Sequence, residues 1–241
     1  MNDLEIQRAL SKLELPVFTI DHLMAILNTD YNGTVVKLSR LVKKGVLARV
    51  IGGLYSLPDT DPLCISSFIE GPSYISLWSA LRYHGLTTQS PRIIEIINTK
   101  RSETVELAHA DGRFSLDFIK TDPSRLFGYR KEYIGEHASF IADPEKTIVD
   151  CLLYTGHTPL EETTYALSSE MDRSKLIEYS KKINKQSLKK RLGYLMDKRG
   201  YAVKPDDFGD LSSSYVRLDP MGERRGIHCR KWHIMDNGVE I

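Results

Sequence analysis

A chain of 241 residues with 41% hydrophobic and 27% charged side chains is long enough to bury a core in one large domain or two of common size, and its composition is that of a globular protein. No apolar run approaches the roughly 18 residues of a membrane helix, and the opening MNDLEIQRAL is too acidic and polar for a signal peptide, so the expectation is a cytoplasmic protein with no membrane partner. Cys64, Cys151 and Cys229, odd in number and widely spaced, exclude a disulfide framework, while a net charge of +1 leaves nucleic acid undecided and shifts attention to how charge is distributed.

Leu4, Ile6, Leu10 and Leu13 predict a first helix ended by Pro16. Thr19–Asp21 is a cap for a second helix through HLMAIL, with Leu23, Ile26 and Leu27 on one side. After the turn-rich NTDYNG, a third helix runs to Lys44, with Val35, Leu38, Leu41 and Val42 as its apolar stripe. Lys37, Arg40 and Lys44 repeat at three and four and so share the opposite face, and Gly45 is a natural stop. Two short runs, VLARVI and LYSLP, flank Gly52-Gly53 and predict a β-hairpin, because two glycines tolerate the positive φ angles of a two-residue turn. From Tyr31 to Val50 the chain carries five cations, Lys37, Arg40, Lys43, Lys44 and Arg49, and no acid.

PDTDP, Pro58–Pro62, reads as a boundary between a domain over 1–60 and a second over 61–241. Beyond it, GPSYISLWSALRYHGL predicts a helix opened at Pro72-Ser73, striped by Tyr74, Leu77, Trp78 and Leu81 and closed at Gly85. RIIEIINT and the alternating FSLDFI predict strands. ADPEKTIVDCLLY predicts a helix with Asp143 as cap and Pro144 at its first position. Two basic helices follow, one on Leu176, Ile177 and Ile183 and one on Leu188, Leu192, Leu195 and Met196; past Tyr201 the pattern fades into loops and short strands. Charge is segregated: eight acids against two bases over 131–170, then ten bases against three acids over 171–200. The predicted class is α+β, an N-terminal winged helix-turn-helix followed by a larger mixed domain.

Three short helices and a hairpin form a winged helix-turn-helix, in which the third helix enters the major groove and the hairpin lies on the flanking backbone. On this reading Tyr31, Asn32 and Thr34 occupy the base-reading end, with Asn32 suited to adenine and Thr34 offering a hydroxyl or a methyl. Lys37, Arg40, Lys43, Lys44 and Arg49 would hold phosphates, and Gly52 and Gly53 would let the wing's main chain approach a strand closely. Five such contacts per subunit imply a slope of log affinity on log salt near about −4.5.

Nothing in the sequence announces chemistry. Asp117 and Asp122 are not preceded by the Gly-Ser turn of a nucleotidyltransferase, Asp206-Asp207 reads as a loop, and no phosphate-cradling glycine motif is present. His228, Cys229 and His233 are near neighbours but fall short of the four ligands of a structural zinc site. The expectation is a protein with neither catalytic residues, metal nor cofactor.

Several blocks resemble the antitoxins of the AbiE abortive-infection toxin–antitoxin family: LSRLVKKGVLARVIGGLYSL, YISLWSALRYHGLTTQSPRIIEIINTKR, LFGYRKEYIGEHASFIADPEKTIVDCLLY with its distinctive ADPEK-T-xx-D core, and KLIEYSKKINKQSLKKRLGYLMDKRG. The resemblance covers residues 15 to 200. It implies a repressor of its own operon, bound to inverted repeats in double-stranded promoter DNA, whose C-terminal part counteracts a nucleotidyltransferase-like toxin. The cations of 31–49 fall where the family's recognition helix and wing lie, and a homodimer would suit palindromic DNA. The basic stretch 173–199 would add DNA affinity, take part in neutralisation, or form a solvated face. Two other readings compete: a metal-dependent DNA-processing enzyme using Asp117, Asp122, Asp206 and Asp207, and a protein-binding module indifferent to DNA.

Overall fold

The computed structural model describes residues 1–90, 92–109, 112–168 and 170–238. The fold is α+β, and contacts divide the chain into two compact units: Met1–Ile75 with Arg92–Thr121 and Arg130–Ile141, and Ser76–Pro91 with Asp122–Tyr129 and Ala142–Ile241.

The first unit opens with helices α1 (Asp3–Ser11), α2 (Ile20–Leu27) and α3 (Tyr31–Lys43), then strands β1 (Ala48–Arg49) and β2 (Tyr55–Ser56). Each helix has its own start signal. Asn2 and Glu5 form a reciprocal capping box on α1, Thr19 caps α2 through the His22 amide, and the Asp30 carboxylate accepts from Gly33 N at 2.9 Å on α3. Phe18, Leu23, Leu38, Leu41, Leu47 and Leu57 gather with Ile6 and Leu10 into one core. Leu4 and Leu13 stay exposed, and α1 stops at Ser11, well before Pro16. Gly52 and Gly53 both take positive φ, 53° and 81°, in a turn closed by Leu54 N donating to Ile51 O at 2.8 Å. Phe18 pairs with Tyr55 through two backbone hydrogen bonds, anchoring the hairpin to the start of α2.

Asp61 caps α4 (Pro62–Ile69), so the expected boundary at PDTDP is in part the first turn of a helix. The unit's sheet orders its strands β5-β6-β4-β3-β8-β7, from β3 (Ser73–Ile75), β4 (Ile93–Asn98), β5 (Glu103–His109), β6 (Gly112–Lys120), β7 (Tyr129–Ile134) and β8 (His137–Ala142). The expected helix over 72–85 is corrected here. Its first part is the buried strand β3, held between β4 and β8, and only Leu77–Tyr83 is helical, as α5. The chain breaks direction at Leu77, whose φ of 57° no helix continues through.

In the second unit α6 (Pro144–Leu153) lies against α5, α7 (Leu160–Ala166), α8 (Arg173–Ile183) and α9 (Gln186–Lys198). Every residue of α6 from Glu145 to Leu153 is buried, as a helix enclosed on all sides must be. The tail carries a small sheet ordered β10-β11-β9, from β9 (Val216–Arg217), β10 (Ile227–Cys229) and β11 (Ile234–Asp236). Trp232 fastens it. Its buried ring lies so close to Gly193 on α9 that a Cβ there would come within 2.1 Å, and its indole N–H donates to Asp197 at 2.8 Å.

Candidate nucleic-acid interface

Burial fixes which face of α3 is available. Thr34, Leu38 and Leu41 point into the core, and Val42 is half-buried against it. Val35, placed in the apolar stripe by spacing, is 42% exposed, because Thr34 takes the inward position one residue earlier. Thr34 is therefore a correction: it is fully buried, its hydroxyl shares a 2.9 Å hydrogen bond with Thr29 Oγ1, and it is not available to a base.

The remaining residues assigned to DNA divide between two sides of the helix. An open cleft of about 640 Å³ between α3 and the hairpin is walled by Tyr31, Val35, Ser39 and Lys43 on one side and by Arg49, Gly52, Gly53 and Tyr55 on the other. Lys37, Arg40 and Lys44 border a second groove beside Asp3 of α1. Lys44 donates to Asp3 at 2.8 Å, so its charge is already compensated. Lys37, Arg40, Lys43 and Arg49 are exposed and form no ion pair among the described residues. Asn32 is exposed on the first turn, and Val36 and Ser39 join it on the outward surface. The spacing from Asn32 to Val36 is i to i+4, a signal the sequence carries but which an apolar Val36 disguises.

The basic stretch 173–199 needs a correction. On α9, Lys189, Lys190 and Arg191 are buried, bound to Asn184 Oδ1, to Ser212 and Ser214, and to Arg217 O respectively. Desolvation lowers the pKa of Lys190. Lys190 and Arg191 anchor the tail, Lys189 ties α9 back to the end of α8, and all three are buried; Lys181 and Lys182 of α8 remain exposed.

The carboxylates considered for metal are engaged separately. Asp117, in the first unit, accepts from Thr104 Oγ1 at 3.2 Å. In the second unit Asp122 caps the turn at Ser124, and Asp207 accepts from Lys204 N and from Arg173, contacts that hold its pKa below the usual carboxylate range. His228 and His233 both pack against the Tyr215 ring. Among the described residues no three of His, Cys, Asp and Glu converge as metal ligands.

The ADPEK block builds a connected polar cluster that its sequence hints at only through a cap. Asp143 caps α6 by accepting from Lys146 N, and its other oxygen accepts from Tyr179 OH at 2.8 Å and from Lys175 Nζ at 2.8 Å. Glu145 accepts from the same Lys175 at 3.0 Å and from Asp172 N at 3.0 Å. One turn inward, Lys146 and Asp150 form an ion pair with both side chains at 0% exposure, and Ser76 Oγ donates to the other carboxylate oxygen of Asp150 at 2.8 Å. Phe127 lies beneath the Lys146 and Lys182 ammonium groups, 5.0 and 4.1 Å from its ring centroid.

Burial, then the hydrogen bond to Asp143, pushes the Tyr179 hydroxyl up to about 12 from 10.0. Burial works against the Lys175 ammonium, but hydrogen bonds to Asp143 and Glu145 outweigh it and raise its pKa above the ordinary lysine value. Both groups hold their protons more tightly folded than unfolded. The stability this gives is complete below the unfolded pKa and is lost as pH rises through the folded one. The denaturant midpoint should accordingly fall between pH 10 and about 12, and fall less steeply in Tyr179→Phe; an unchanged slope in that variant would remove Tyr179 from the cause.

A scan against known protein families finds no match, and a search of curated proteins finds none either. Among solved structures, the crystal structure of the RV2827C protein from Mycobacterium tuberculosis is similar, with a TM-score of 0.65 over 98% of this chain and 91% of that one. The two sequences are 15% identical, a likeness that speaks to the shared α+β fold and to nothing else.

Proposed function

We propose that this chain is a sequence-selective binder of double-stranded DNA, a transcriptional regulator of the antitoxin type that its resemblance to the AbiE family implies. The observation that carries this reading is the surface of α3 and its hairpin: Lys37, Arg40, Lys43 and Arg49 exposed and without acidic partners among the described residues, beside a turn made of two glycines. In this reading α1 to α3 with β1 and β2 form the winged helix, the cations hold phosphates, and Asn32 reads bases. The second unit supplies the part that counteracts a nucleotidyltransferase-like toxin, and two copies bind an inverted repeat in the chain's own promoter.

The test is a fluorescence-anisotropy titration of the full chain on duplexes from its own upstream DNA, with scrambled duplexes as competitors. Selective binding at moderate salt is expected. Binding no tighter than to the scrambled duplexes would contradict the proposal.

A second reading has one observation in its favour. Tyr31, Val35 and Val36 are 57%, 42% and 54% exposed on this same surface, and exposed apolar groups also serve protein contacts. In that case a co-purifying partner, and not DNA, would be displaced by Val36→Asp.

A further inference from the structure

The outward ridge of α3 has a chemical order along its length. Asn32, Val36, Ser39 and Lys43 follow one another at spacings of four, three and four, so they line up on one face, and all four are exposed. The first cation of the helix is Lys37. Ahead of it, the helix N-terminus is already occupied, since the Asp30 carboxylate accepts from Gly33 N at 2.9 Å. A phosphate placed there would meet a negative charge. The phosphate-holding groups therefore lie in the later half of the helix and on the hairpin, and the first two turns are left to face base edges.

On the outward face those turns offer an amide and methyl groups, with Tyr31 lining the cleft beside the hairpin. Arginine and lysine, the side chains that pair with guanine O6 and N7, are absent from the outward positions before Lys37. An asparagine amide matches adenine N6 and N7, and a valine side chain matches the thymine C5-methyl. Val36 is 54% exposed, so it has apolar surface to bury against such a methyl. Four helical residues rise about 6 Å, close to two base-pair steps. Asn32 and Val36 thus face neighbouring parts of one half-site.

We infer that the half-site read by this helix is A·T-rich at its core, with Asn32 on an adenine and Val36 against a thymine methyl. This rests on the DNA-binding reading above and adds to it the class of sequence recognised.

The experiment is a selection of the full chain on randomised duplexes, followed by replacement of half-site thymines with deoxyuridine, which removes only the methyl. A·T pairs are expected at the contacted steps. Deoxyuridine at the contacted position should weaken wild-type binding about fourfold, the worth of one buried methyl, and should leave the already weaker Val36→Ala protein nearly unaffected. Asn32→Ala should lose the preference for the adenine. Selection of a G·C core, or equal sensitivity of wild type and Val36→Ala to the missing methyl, would overturn this inference while DNA binding stands. Failure to select any duplex would overturn the DNA-binding reading and this inference together.

Discussion

Replacing Arg40 and Lys43 together by alanine is expected to weaken duplex binding about thirtyfold at about 0.15 M salt, because each lost phosphate contact forgoes one released counterion, worth a factor of about five. Both side chains are exposed and unpaired among the described residues, so the double variant should fold as the wild type does. Sequence alone would allot five cations to phosphates. The Lys44–Asp3 pair leaves four, which moves the expected slope of log affinity on log salt from about −4.5 to about −3.6 per subunit. In Arg40→Ala/Lys43→Ala the slope should flatten to about −1.8. Anisotropy titrations over a range of salt measure both quantities, and a slope unchanged by the double substitution would place the phosphate contacts elsewhere.

The largest expected effect on stability lies in the second unit, at Asp150. Removing its carboxylate in Asp150→Ala leaves the Lys146 ammonium at 0% exposure without its paired charge and Ser76 Oγ without its acceptor. Breaking a buried pair from one side costs about 3–5 kcal/mol, since the surviving charge keeps its desolvation penalty and loses its compensation. For a chain of this length that lowers Tm by about 6–20 °C. Lys146→Met combined with Asp150→Leu should recover most of the loss, because an apolar pair needs no compensation. Thermal unfolding followed by circular dichroism decides it; a double variant no more stable than Asp150→Ala would show that the cluster contributes through contacts other than this charge pair.

These two sites differ in how far the sequence exposes them. The start of α6 is legible because Asp143 and Pro144 are local signals, acting within one turn of where they stand. The Gly52-Gly53 turn is legible for the same reason, since two adjacent residues needing positive φ leave few alternatives to glycine. Thr34 is not legible. A threonine between Gly33 and Val35 gives no sign that it, and not the valine, faces inward, and the rotation of α3 is fixed by Leu38, Leu41 and the Thr29 hydroxyl. The cations of α9 mislead in the opposite direction. Lys190 and Arg191 read as a solvated or DNA-binding face until the tail supplies Ser212, Ser214 and Arg217 O from more than twenty residues away. Likewise Tyr74 fits a helical stripe with Leu77, Trp78 and Leu81, and only pairing with β4 and β8, remote in sequence, makes Ser73–Ile75 a strand. Short-range capping and turn chemistry is written in the chain; partners brought by tertiary folding are not.

The most direct test of the central claim is photo-crosslinking of the full chain to a selected duplex carrying 5-iododeoxyuridine in its half-site, with the adduct mapped by mass spectrometry. The adduct is expected within residues 31–43 or on the hairpin over 48–56. A duplex that binds tightly yet crosslinks only to other segments would contradict the assignment of this face to DNA.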